Sequence, residues 1–107
     1  MASPRRPVQW SSDSLTDLSE IWAYYAEMAG QTTADKIVRD IGEKCRFIEA
    51  YPFGGRARDE VRQGLRSIAA RPYVVFYRLM EETPEIVRVL DGRRDIDEIF
   101  ADVPSDQ

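Results

Sequence analysis

Histidine is missing altogether, cysteine occurs once, and only two of the fifteen basic residues are lysine. Without histidine the chain lacks the commonest general base, the usual Ser-His and Cys-His nucleophile pairs and most transition-metal ligand sets. Cys45 alone forms no internal disulfide and completes no zinc site, so neither a metal nor a cofactor is expected. No stretch approaches the roughly 18 consecutive apolar residues of a membrane span. The N-terminal Met1-Ala2-Ser3-Pro4-Arg5-Arg6-Pro7 has a basic pair but no apolar core of a secretion signal, and a cytoplasmic protein without a membrane partner is expected.

What is present suits one folded domain. At 107 residues, 43% hydrophobic and 32% charged, the chain is long enough for one modest core and too apolar for disorder. The expected domain is 1–107, with a core over about 8–100 and frayed ends at 1–7 and 101–107. The net charge of −4 is unevenly spread: residues 1–50 carry −2, residues 51–94 carry +3, and residues 95–107 carry −5. All nine basic residues of the middle section are arginine, which favours planar, bidentate pairing over diffuse charge, although a GC-rich codon bias raises arginine equally. A globally acidic chain is a poor nonspecific DNA binder.

Val8-Gln9-Trp10-Ser11 reads as a short first strand. Ser14 with Asp17 resembles a capping box in which Asp replaces Glu. Leu15, Leu18, Ile21, Trp22 and Tyr25 then mark one face of a helix ending near Gly30, with Trp22 and Tyr25 in the core. Thr32 or Thr33 caps a second helix whose apolar face is Ala34, Ile37, Val38, Ile41, Cys45 and Ile48, stopping near Tyr51-Pro52. So short a link makes the two an antiparallel hairpin.

Residues 52–64 break the period with three glycines and three arginines. Phe53-Gly54-Gly55-Arg56 follows a helix and lacks the Lys-Ser/Thr ending of a phosphate loop, so it is not read as one. Beyond it lie three strands: Leu65–Ala69, the apolar Tyr73–Met80 and Glu85–Leu90. Ile96, Ile99 and Phe100 mark a short last helix, with Asp95 as its cap. The expected class is α+β: an N-terminal strand, a helix hairpin packed on an antiparallel sheet ending in a three-stranded meander, and a C-terminal helix.

The ordered set Gly64-Leu65-Arg66-Ser67-Ile68, Tyr73-Val74-Val75-Phe76-Tyr77-Arg78, Glu85-Ile86-Val87-Arg88-Val89-Leu90 and Gly92-Arg93-Arg94-Asp95-Ile96 resembles the ParE branch of the RelE/ParE toxin superfamily. Pro52 followed by Gly55-Arg56 and Arg58 is also similar to that family, and the resemblance covers about 8–100. It implies the toxin of a bacterial type II toxin–antitoxin pair, held by a ParD-like antitoxin and directed at DNA gyrase. Contact with DNA is then indirect, through the antitoxin.

The superfamily also contains RelE-like enzymes that cut mRNA on the ribosome. Such chemistry needs groups to take and give a proton and cations for the developing phosphorane charge. By resemblance, the RelE-like acid/base tyrosine is matched here by Phe100, and a strand arginine by Val74. Many relatives carry histidine where this chain has Asp91, whose carboxylate repels phosphate. A non-enzymatic toxin is therefore expected, with an mRNA endoribonuclease or a non-toxic homologue kept as an antitoxin partner as the alternatives.

The candidate partner-binding residues are Arg66, Arg78, Arg88, Arg93, Arg94 and Tyr24. Arg66, Arg78 and Arg88 form a basic stripe for an acidic antitoxin segment if they share one sheet face. Arg93 and Arg94 read equally as a contact surface or as partners of internal carboxylates. Tyr24 lies off the apolar face of its helix and is a candidate exposed anchor.

Overall fold

The computed structural model describes residues 7–101. Chain order is β1 (Gln9–Trp10), α1 (Ser12–Ala29), α2 (Gln31–Ala50), β2 (Arg56–Ala57), β3 (Arg66–Ala70), β4 (Tyr73–Met80), β5 (Thr83–Asp91) and α3 (Ile96–Ala101). The expected α+β architecture is the one observed. The expected frayed ends lie outside the described residues, except for Pro7 and Ala101, the latter closing α3.

The five strands form one sheet in the order β1-β5-β4-β3-β2, so the apolar Tyr73–Met80 strand is central. β2 to β5 pair antiparallel, but β1 runs parallel to β5, with Gln9 opposite Glu85 and Trp10 opposite Ile86. The sheet is therefore mixed at that edge. The two-residue β2 lies where a connection without a strand was expected, and β5 starts at Thr83, ahead of Pro84, instead of at Glu85. The β4–β5 turn places Glu81 and Glu82 at φ 52° and 69°, a left-handed pair that glycine or asparagine adopts more cheaply.

Helix α1 is capped by Ser11, not Ser14: the Ser14 N–H donates to Ser11 Oγ at 3.0 Å. Ser14 is buried inside the first turn and donates its hydroxyl to Ser11 O. Neither Thr32 nor Thr33 caps α2. The single residue Gly30, at φ 95°, closes α1 and opens α2, a conformation that a side chain disfavours.

The hairpin packs on one face of the sheet. Ile21, Ile41, Cys45 and Ile48 meet Ala70, Val75, Tyr77, Ile86 and Val89 there. Each fully buried aliphatic side chain contributes about 1.5–3 kcal/mol relative to exposure. Tyr25 and Leu18 flank this core, but Leu15 is exposed, and Trp22 lies at the hairpin seam with its indole N–H donated to Asp35. On the opposite face Leu65, Phe76, Leu90 and Phe100 form a second cluster under α3, which explains why both faces of β4 are apolar. Asp95 Oδ1 accepts the Glu98 N–H at 3.2 Å, in keeping with its reading as the α3 cap.

Candidate partner-binding site

The chain leaves β1 at Trp10 and enters α1 two residues later, so α1 runs beside β5 where β1 has ended. The gap is bridged by polar groups. Ser11 N–H donates to Ile86 O at 3.0 Å and Ser11 Oγ donates to Val87 O at 2.8 Å. Further along, the Asp17 carboxylate accepts the Val89 N–H at 2.9 Å, supplying the partner that another strand would have given. Arg88 closes on the same carboxylate through Nε at 2.8 Å and Nη2 at 2.9 Å. The pair sits beside an irregularity in the β4–β5 register, where Phe76 faces Arg88 but Tyr77 faces Ile86.

A cleft of about 160 Å³ opens beside this pair, lined by Asp17, Glu20, Ile21 and Tyr24 of α1 and by Tyr73, Val89, Leu90, Asp91 and Arg94. Tyr24 is 56% exposed and meets Tyr25 edge-on, while Tyr25 meets Tyr73 in the same way. Burial and a hydrogen bond to Tyr25 push the Tyr73 hydroxyl well above the ordinary range for a phenol. Arg93 holds Asp91 by Nη2 at 2.7 Å and Nε at 3.0 Å, keeping that carboxyl at about 2. Arg94 makes no side-chain hydrogen bond or ion pair with the described residues, and it also lines a second depression with Asp95, Glu98 and Ile99. Among the described residues no set of three acidic or cysteine side chains gathers to hold a metal.

Four of the six expected residues therefore converge: Tyr24, Arg93 and Arg94 line or flank the cleft, and Arg88 lies behind its Asp17 wall. Arg66 and Arg78 do not join them. Arg66 is opposite Tyr77 on β3 and shares its helix-side face, whereas Arg78 is the next residue along β4 and points to the other face. Arg78 is bonded to Glu85, directly opposite on β5, at 2.7 Å. The expected single basic stripe is not formed, because strand alternation divides two of its members and Asp17 engages the third.

The sequence reading missed Asp17, Glu20 and Tyr73. Asp17 carried a usable signal: it lies four residues before Ile21 on the helix face that is buried, and a carboxylate there needs a partner.

Residues 8–96 match the family model described as ParE toxin of type II toxin-antitoxin system, parDE. The chain belongs to the ParE toxin family. The ParE1 toxin of Mycobacterium tuberculosis is 37% identical over 81 residues, covering 75% of this chain and 83% of that protein. The ParE3 toxin of Caulobacter vibrioides is 34% identical over 80 residues, 75% and 80% of the two chains. Among solved structures, a chain of the chromosomal ParDE system from P. aeruginosa superposes with a TM-score of 0.72 at 23% identity, over 83% of this chain and 98% of that one. That likeness is one of fold. The ParE family resemblance expected from the strand motifs is thus the correct one, and the chain is a ParE toxin of a type II toxin–antitoxin system. No helix among the described residues is long and apolar enough to cross a membrane.

Proposed function

We propose that this ParE toxin acts in the cytoplasm by binding DNA gyrase, without chemistry of its own, and that a ParD-like antitoxin neutralises it by occupying the Tyr24–Arg94 cleft. DNA is contacted through the antitoxin alone.

The observation that carries the reading is the state of the sheet where a RelE-like enzyme keeps its reactive groups. Phe100, at the position matched to the RelE-like tyrosine, is 3% exposed and packs edge-on against Phe76 at 5.1 Å. Val74 lies in the same apolar cluster. The arginines nearby are committed to other groups: Arg58 to Glu60, Arg62 to Phe100 O, Arg78 to Glu85, Arg88 to Asp17 and Arg93 to Asp91. Guanidiniums paired in this way have fewer donors left for a developing phosphorane charge. Binding, by contrast, needs an exposed anchor and an unpaired charge at the rim of a cleft, and Tyr24 with Arg94 provides both. The test is gyrase supercoiling with the purified toxin, alone and with the antitoxin.

A further inference from the structure

The cleft between α1 and the end of β5 holds two opposite charges that nothing in the fold neutralises. Glu20 and Tyr24 stand one helical turn apart on α1, and Arg94 follows the end of β5. Asp17 and Asp91 line the same space, but Arg88 and Arg93 hold them. Neither the Glu20 carboxylate nor the Arg94 guanidinium has a hydrogen bond or ion pair among the described residues, and the two do not pair with each other. Unlike charges that line one space without meeting are complementary to a ligand that carries both.

Apart from these charged side chains the lining is apolar or aromatic: Ile21, Val89 and Leu90, all buried, and the rings of Tyr24 and Tyr73. Aromatic and aliphatic walls with a few convergent polar groups are the usual make-up of a small-ligand site. The volume of about 160 Å³ is below the roughly 300–1,000 Å³ of a site for a drug-sized molecule, which limits the ligand to something the size of one amino acid.

We infer that this cleft binds a free α-amino acid with an apolar side chain. Its carboxylate pairs with Arg94, its ammonium pairs with Glu20, and its side chain packs on Leu90 and the tyrosine rings. The inference rests on the reading of this cleft as the toxin's binding site and adds a ligand other than the antitoxin. Other small ligands match the lining less well. A phosphate ester meets the carboxylates of Asp17, Glu20 and Asp91, a polyamine leaves Arg94 unmatched, and a divalent metal finds no set of three acidic ligands among the described residues.

The test is a titration of the isotope-labelled full chain with L-leucine, followed by amide chemical shifts. N-acetyl-leucine, without the ammonium, and leucinamide, without the carboxylate, are the comparison probes. Leucine is expected to bind with a Kd on the order of 1 mM and to shift amides lining the cleft. Each comparison probe is expected to bind about 10-fold more weakly. Arg94→Gln is expected to bind leucine no better than leucinamide, and Glu20→Gln to bind it no better than N-acetyl-leucine. Unchanged melting temperatures show that both variants remain folded. Equal binding of the three probes by the wild type, leucine binding indifferent to both substitutions, or no saturation by about 20 mM leucine overturns the inference.

Adding the antitoxin separates the two readings of the cleft. Leucine released as the antitoxin binds supports both. Leucine retained in the toxin–antitoxin complex removes the antitoxin from the cleft and leaves the amino acid there. Antitoxin binding that Arg94→Gln weakens, in a toxin that binds no leucine, removes the amino acid alone.

Discussion

Asp17 and Arg88, 71 residues apart in the chain, form a two-bond ion pair at 2.8 and 2.9 Å whose carboxylate also takes the Val89 N–H. One side chain of α1 thereby satisfies the open edge of β5 and fixes the helix that carries Tyr24. The Asp17 side chain is only 8% exposed and that of Arg88 18%, so removing one partner leaves a largely buried charge uncompensated. Asp17→Ala is expected to lower stability by roughly 3 kcal/mol in urea unfolding. Asp17→Leu combined with Arg88→Leu is expected to cost less than either single change, and equal or additive losses would count against the pairing.

Tyr77 ties the loop before β2 to the sheet. Tyr77→Phe leaves the Gly55 N–H and Pro52 O without their partner, at an expected cost of about 1–3 kcal/mol in thermal unfolding. Gly55→Ala is expected to be at least as damaging, since an added Cβ would lie 2.6 Å from Tyr77 Cε1 and 2.8 Å from Ser67 O. Wild-type stability in Gly55→Ala would mean that the loop is not held this tightly.

Alkali is expected to loosen the core. Burial pushes the Cys45 thiol from 9.0 up to about 12, with Glu49 adding to the rise and Arg46 opposing it. Burial also raises the hydroxyls of Tyr73 and Tyr77 above 10.0. All three folded values exceed the unfolded ones, so their contribution is complete below pH 9 and declines as pH rises from there through the folded values. Urea midpoints are expected to fall between about pH 8 and about pH 11, and to fall less steeply in Cys45→Ala. A flat wild-type profile over that range would contradict the assignment. The same burial predicts that a thiol reagent labels native Cys45 far more slowly than the unfolded chain.

Most of the fold was legible because it rests on periodic burial. The face Ala34, Ile41, Cys45 and Ile48 is both the pattern in the sequence and the surface that packs on the sheet. β4 announced its central place by being apolar on both sides. What stayed hidden depended on long-range pairing. The two residues of β2 have too little pattern to read, and the parallel alignment of β1 with β5 is set by where the hairpin returns the chain. The site divided in the same way. Tyr24 stood out by lying off the apolar face of its helix and Arg94 by its place in the Gly92-Arg93-Arg94-Asp95 motif, whereas Arg88 read as one member of a basic stripe until Asp17 was brought to it from α1. The basic stripe failed on strand alternation, which puts Arg66 and Arg78 on opposite faces whenever Tyr77 pairs with Arg66.

The cleft makes its own prediction. Arg94→Glu and Tyr24→Ala lie on the surface and are expected to leave the melting temperature nearly unchanged. Each is expected to weaken antitoxin binding by about 1–3 kcal/mol in calorimetry, with Arg94→Glu also altering its salt dependence. Undiminished affinity in both variants would place the antitoxin elsewhere.

The most direct measurement is gyrase-catalysed supercoiling of plasmid DNA by purified components. Adding this toxin is expected to inhibit supercoiling or accumulate cleaved complexes, and adding the ParD-like antitoxin is expected to restore activity. Unaffected supercoiling without cleaved complexes, in a toxin that still arrests growth, would contradict the account.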